Sequence, residues 1–161
     1  MVAGAGGLAG LVLLTASPAE AIAITVPASA TLPNAVTGTP TLSAHLGTVT
    51  VTAGGLVAPG FTATVSATVF KTGAGSANET IEKSSISYWS GPATSSSGLS
   101  STQPGQLTAL VAQDLSVARP AFSGTGLLLS ISASWNPTIV VTLPSAVIAG
   151  TYSGTITHSA A

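Results

Sequence analysis

Very few side chains in this sequence could move a proton or hold a metal ion near neutral pH. They are His45, His158, Glu20, Glu79, Glu82 and Asp114, and cysteine is absent. A nucleophilic triad could draw on His45 or His158 with Asp114. The Gly-x-Ser-x-Gly turn that exposes a serine nucleophile is missing, however, and serine is common along the whole chain. A glycosidase needs two carboxylates facing one cleft. Glu79 and Glu82 are three residues apart, which in extended chain sets them on opposite faces. Zinc would need a third ligand beside the two histidines, from Asp114 or a glutamate. His45 sits in a polar stretch at the entry to a strand and reads as a surface residue. The expectation is therefore no catalytic residue, no metal site and no cofactor.

Aromatic rings offer different chemistry, because an exposed indole or phenol can stack on a sugar ring. Tyr88, Trp89 and Trp135 are the candidates. Neighbouring strand residues face opposite ways, so Tyr88 and Trp89 cannot both enter a core. Trp89, just before a Ser-Gly-Pro turn, is the better platform. Trp135 shares parity with Ile131 and Leu129 and reads as core.

Composition excludes more. The 161 residues include 3 basic and 4 acidic side chains, 4% charged against 45% hydrophobic. Three basic residues cannot line a nucleic acid's phosphates, and so apolar a chain with so little charge is not intrinsically disordered.

The elements that must position these residues are strands. Phe61–Phe70 reads FTATVSATVF, with Phe61, Ala63, Val65, Ala67 and Val69 on one side and hydroxyls on the other. That period of two is the strand signature. Weaker alternation predicts strands over Ile22–Val26, Leu46–Thr52, Thr80–Trp89, Leu127–Trp135, Thr138–Leu143 and Thr151–His158. Lys71–Glu79 and Ser90–Gln106 read as loops, and Leu107–Pro120 as a short helix or an irregular strand. Evenly spaced short strands with one wet face predict an all-β, antiparallel Greek-key, immunoglobulin-like β-sandwich over residues 22–161. Gly150 lies two residues before Tyr152 at the opening of the last strand. That spacing fits a tyrosine corner, in which a buried phenol bonds back to upstream backbone; Tyr152 as a plain core aromatic is the alternative.

Residues 1–21 read as a signal peptide. The apolar run VAGAGGLAGLVLLT precedes Pro18 and Ala19-Glu20-Ala21, and small residues at −3 and −1 place cleavage after Ala21. A basic residue is missing ahead of the run, which leaves open a start codon upstream of Met1. Cleavage leaves three acids and three bases, formally neutral, with no membrane segment remaining.

Several stretches (ITVPASATL, LGTVTV, FTATVSATVF, ISYWSGPAT, WNPTIVVTLP and AGTYSGTITHS) together resemble a group of secreted actinobacterial proteins of unassigned function. More distantly the chain is similar to the WxL domain of Gram-positive surface proteins. By order, Phe61-Thr62-Ala63 and His158-Ser159-Ala160 match the two Trp-x-Leu positions; Phe61 and His158 stand where that family has Trp, Ala63 and Ala160 where it has Leu. The resemblance implies a secreted or wall-associated protein whose partner is peptidoglycan or wall polysaccharide. The residues themselves also leave open a carbohydrate-binding module built on Trp89. A third reading is a self-assembling pilin- or coat-like subunit, since the edge strands lack the charges that usually prevent self-association.

Overall fold

The computed structural model describes residues 21–36, 38–55 and 59–161. The expected leader lies outside the described residues except for Ala21, the first residue of β1. In chain order the strands are β1 (Ala21–Thr25), β2 (Thr41–His45), β3 (Val49–Gly54), β4 (Gly60–Ala67), β5 (Phe70–Lys71), β6 (Thr80–Ile81) and β7 (Ile86–Trp89). They continue with β8 (Ala93–Ser97), β9 (Leu99–Pro104), β10 (Gln113–Asp114), β11 (Arg119–Gly126), β12 (Ser130–Trp135), β13 (Thr138–Thr142) and β14 (Ile156–Ala160). Every ladder is antiparallel. The fold is all-β, with sheets packed around one core.

Among the described residues, three sheets have four strands each. The first is ordered β1-β3-β12-β8, the second β10-β7-β13-β2 and the third β14-β4-β11-β9, with β5-β6 as a separate ribbon. The sheets share one internal order. β2, β3 and β4 pass in turn through the second, first and third sheets; so do β7, β8 and β9, while β11, β12 and β13 make the same passage in reverse. Three long ribbons are thus each bent twice, and the bends fall at glycine and proline. Leu46-Gly47-Thr48, Ser90-Gly91-Pro92 and Asn136-Pro137 turn between the second and first sheets. Gly98 and Gly126 help to turn between the first and third. Gly98 has φ of +67°, and a Cβ there would run into the Ser130 carbonyl; one at Gly126 would run into Ile131. Only glycine lets the two crossings lie against each other.

Alternation then builds the core. In β3, Val49, Val51 and Ala53 are buried while Thr50 and Thr52 face outward. In β4, Phe61, Ala63 and Val65 are buried, as their period required. Ile86 and Tyr88 of β7, Ile131, Ala133 and Trp135 of β12, and Ile139 and Val141 of β13 complete the interior. Burying such side chains contributes about 1.5–3 kcal/mol each before entropy is counted.

Five sequence expectations need correction. The strand predicted over Thr80–Trp89 is two strands, β6 and β7, separated by a short 3-10 helix at Lys83–Ser85. The strand predicted over Phe61–Phe70 is two strands, because Thr68 turns out to bond Thr155 through backbone and hydroxyl. The break shifts parity, so Phe70 rather than Val69 is buried. The strand predicted from Leu127 begins at Ser130. Leu127, Leu128 and Leu129 form the crossing between sheets and are 81%, 61% and 65% exposed, so Leu129 does not join Trp135 in the core. Thr151–His158 is a strand only from Ile156 onward, continuing to Ala160. Ser90–Gln106 is not a loop: it holds β8 and β9, whose Ser- and Thr-rich sequence hid them. β2 and β11 carried no readable signal either. In β11 a bulge between Pro120 and Phe122 buries Ala121 and Phe122 in succession, which erases the period of two.

Candidate functional site

The side chains with chemistry converge where the three sheets meet. Trp135 comes from the first sheet, Tyr88 from the second, and Phe122 and His158 from the third. Trp135 and Phe122 stack at 4.8 Å between ring centroids with planes 12° apart. The Trp135 indole Nε1–H donates to the Tyr88 hydroxyl at 3.3 Å. That hydroxyl lies 3.1 Å from His158 Nε2, and the His158 ring stands edge-on to Trp135 at 6.3 Å.

Donor arithmetic orients this chain of bonds. An indole N–H can only donate, so the Tyr88 oxygen accepts from Trp135. Tyr88 is fully buried, and its own proton must find an acceptor or be left unsatisfied at a cost of about 1–3 kcal/mol. Among the described residues its remaining partner is His158 Nε2. His158 is thereby held as the tautomer with its proton on Nδ1. Burial pushes the His158 pKa down to about 4, so the ring is neutral at pH 7. Burial also raises the Tyr88 pKa, against a smaller opposing effect of the Trp135 hydrogen bond.

His158 lines a cavity of about 780 Å³ between the second and third sheets. Its walls include Leu42 and Ala44 of β2, Ile139 and Val141 of β13, and Ile156 of β14, with Phe70 and Ile81 from the β5-β6 ribbon. Residues 26–35, which join β1 to β2 without forming a ladder, cross it as a strap, and residues 147–155 close another side. Among the described residues no Lys, Arg, Asp or Glu lines it. Pro27 anchors the strap against Gly47, where a Cβ would come within 2.7 Å of the proline ring.

The residues singled out from sequence are placed as follows. Tyr88 is not available for stacking on a sugar; it is core, and this corrects its inclusion beside Trp89. Trp89 is half-buried at the end of β7, with its indole nitrogen turned inward and unpaired. Gln106 Oε1 and Asn136 Oδ1 are likewise buried without a partner. Phe61 and Ala63 are core residues of β4, while His158 and Ala160 are half-buried on β14. Those two segments are direct ladder neighbours: Ala160 pairs with Ala63, and the Thr62 N–H bonds the Ala161 carbonyl at 2.8 Å. Tyr152 is half-buried, its hydroxyl 3.0 Å from the Ile148 carbonyl and 3.1 Å from that of Asn78. A Cβ on Gly150 would come within 2.6 Å of Thr72 Oγ1. His45 is exposed and shares a 2.9 Å contact between its Nδ1 and Thr138 Oγ1. Asp114 is occupied with Arg119 at 3.2 Å and with Ser116, whose hydrogen bonds lower its pKa. Among the described residues no three His, Asp or Glu side chains come together as a metal site would require.

The cavity was the feature sequence reading missed. Its nearest sequence signal was the Pro- and Ala-rich stretch from Val26 to Ala35, which has no strand period and lies between two strands.

No family model matches the chain, and no curated protein or solved structure matches it at a significant level.

Proposed function

We propose that this protein is an exported, non-catalytic cell-surface domain that lies against neutral wall polysaccharide or peptidoglycan. The observation that carries the reading is the surface of β8 and β9. These adjoining edge strands present Thr94, Ser95, Ser96, Ser97, Ser100 and Ser101 with no charged side chain. Several of these hydroxyls are already ordered on the framework. Ser101 and Thr125 hydroxyls lie 2.8 Å apart, and the Ser100 and Thr94 hydroxyls donate to the carbonyls of Thr125 and Ser134. An ordered, uncharged hydroxyl face suits a neutral glycan, whose own surface is hydroxyls and C–H groups. The placement of Tyr152 between two carbonyls supports reading the segment after β13 as the corner of a Greek-key, immunoglobulin-like sandwich.

Co-sedimentation of the protein with purified cell wall tests this. Binding is expected to persist at high salt, because no ion pairs contribute. Binding that is absent at low salt, or that salt abolishes, would sink the proposal.

A second reading, a carbohydrate-binding module, draws on the half-exposed ring of Trp89 at the corner between the second and first sheets. Loss of wall binding in Trp89→Ala, with retention when β8 and β9 are altered, would favour it. Self-assembly is the third reading, supported by the uncharged edge strands β2 and β8. Concentration-dependent polymers in sedimentation experiments would favour that one.

A further inference from the structure

We infer that the cavity between β2, β13 and β14 is a binding site for an uncharged amphiphile: an apolar hydrocarbon chain with one neutral hydrogen-bond-accepting head, such as an ester or alcohol, seated at His158.

Size is the first reason. The space, partly open to solvent beneath an exposed strap, measures about 780 Å³. That falls within the range of roughly 300–1,000 Å³ typical of small-molecule sites. It is not a packing defect shared evenly by the core. Val49, Val51, Ile139 and Val141 are at most 4% exposed, whereas the inward residues of the two edge strands, Leu42 and Ala44 on β2 and Ile156 and His158 on β14, are only half-buried. Their apolar faces are turned toward each other with the cavity between them.

Lining chemistry selects the occupant. The walls are dominated by Leu42, Leu46, Ile139, Val141, Leu143 and Ile156, which favour hydrocarbon. Among the described residues no charged side chain reaches the cavity, so a carboxylate or phosphate entering it would lose its hydration without a counter-charge. Charge complementarity therefore favours a neutral head.

His158 decides which neutral head. The Trp135–Tyr88–His158 relay places the ring proton on Nδ1, and among the described residues no protein acceptor bonds that atom. The other phenol lining the cavity, Tyr152, already directs its hydroxyl at the carbonyls of Ile148 and Asn78. The hydroxyl and amide side chains that also line the space (Ser29, Thr31, Asn34, Thr151, Ser153 and Thr155) are likewise uncharged, so with the His158 Nδ1–H they suit a neutral, hydrogen-bond-accepting head. The inference does not depend on wall binding, which was argued from the opposite edges of the sheets.

The neutral fluorophore N-phenyl-1-naphthylamine, titrated into the intact protein, is the probe. Enhanced emission is expected. A monoacylglycerol should then displace it at about a tenfold lower concentration than the fatty-acid anion of equal chain length. Ala44→Trp and Ile156→Trp each place a large ring in the cavity, and whichever folds should lose most of the probe binding. Wild-type protein that does not enhance emission overturns the inference. So does unchanged binding in a folded cavity-filling variant, or equal displacement by the neutral and anionic ligands. Loss of binding in Leu128→Ser would also overturn it, by moving the probe to the exposed leucines between β11 and β12. Wall co-sedimentation run on the same samples reports separately on the surface reading.

Discussion

The hydroxyl of Tyr88 lies 3.1 Å from Nε2 of His158, seventy residues away in the sequence, and this contact ties the second sheet to the third. With the Trp135 indole donating to the same hydroxyl at 3.3 Å, one buried oxygen links all three sheets.

Tyr88→Phe keeps the ring and removes that oxygen. The Trp135 N–H and His158 Nε2 are then both left without their partner. A loss of about 1–3 kcal/mol is expected in urea unfolding. An unchanged midpoint would mean that water replaces the hydroxyl and that the relay contributes nothing.

His158 makes stability depend on pH in a definable window. Its folded pKa, about 4, lies below its ordinary value of 6.5 because burial penalises the charged ring. Above pH 6.5 both folded and unfolded chains hold it neutral. As pH falls from about 6.5 to about 4, the unfolded chain takes up a proton that the folded chain refuses, so stability declines. The full loss is at most about 3 kcal/mol, from about 1.4 kcal/mol per pKa unit. In His158→Gln this part of the slope should vanish. The carboxylates of Glu79 and Asp114, both lowered by hydrogen bonds from neighbouring backbone and serine groups, lose their stabilisation only at lower pH. A wild-type curve that is flat between pH 6.5 and 4 would refute the burial of this ring.

Tyr152→Phe separates a corner residue from a surface aromatic. The hydroxyl is within 3.1 Å of two carbonyls, but the ring is only half-buried, so water can replace part of what is lost. A cost of about 1 kcal/mol is expected. Tyr152→Ala, which also removes the ring packed against the core, should cost more. Two midpoints within about 0.5 kcal/mol of wild type would remove Tyr152 from any account of the fold.

Leu129 and Ile131 test where β12 begins. They have the same parity, yet Leu129 is 65% exposed and Ile131 is 1% exposed. Leu129→Ser should change stability by less than about 0.5 kcal/mol and should improve solubility. Ile131→Ala should cost about 2–5 kcal/mol. Comparable losses in both would restore the longer strand expected from the sequence pattern.

The period of two made β3, β4, β12 and β13 legible, because a strand with one wet face writes its orientation into every second residue. For the same reason Trp135 could be assigned to the core from its parity with Ile131, whereas Tyr88, offered beside Trp89 for stacking, is core. Glycine and proline marked the places where the ribbons bend, since those conformations exclude other residues. Where the pattern failed, a tertiary event had interrupted it. The bulge in β11 hid a strand, the sheet crossing at Leu127–Leu129 imitated one, and the hydroxyl-rich β8 and β9 had no apolar period to read. Low charge and the scarcity of titratable groups were also plain in the sequence, and they narrowed the chemistry before any contact was known. The pairing of Tyr88 with His158, the stacking of Trp135 on Phe122 and the space between β2 and β14 were not. Each joins residues far apart in the chain, and each depends on how three ribbons bend around one core rather than on any local preference. A cavity, in particular, is set by the distance between two faces, and no residue type encodes that distance.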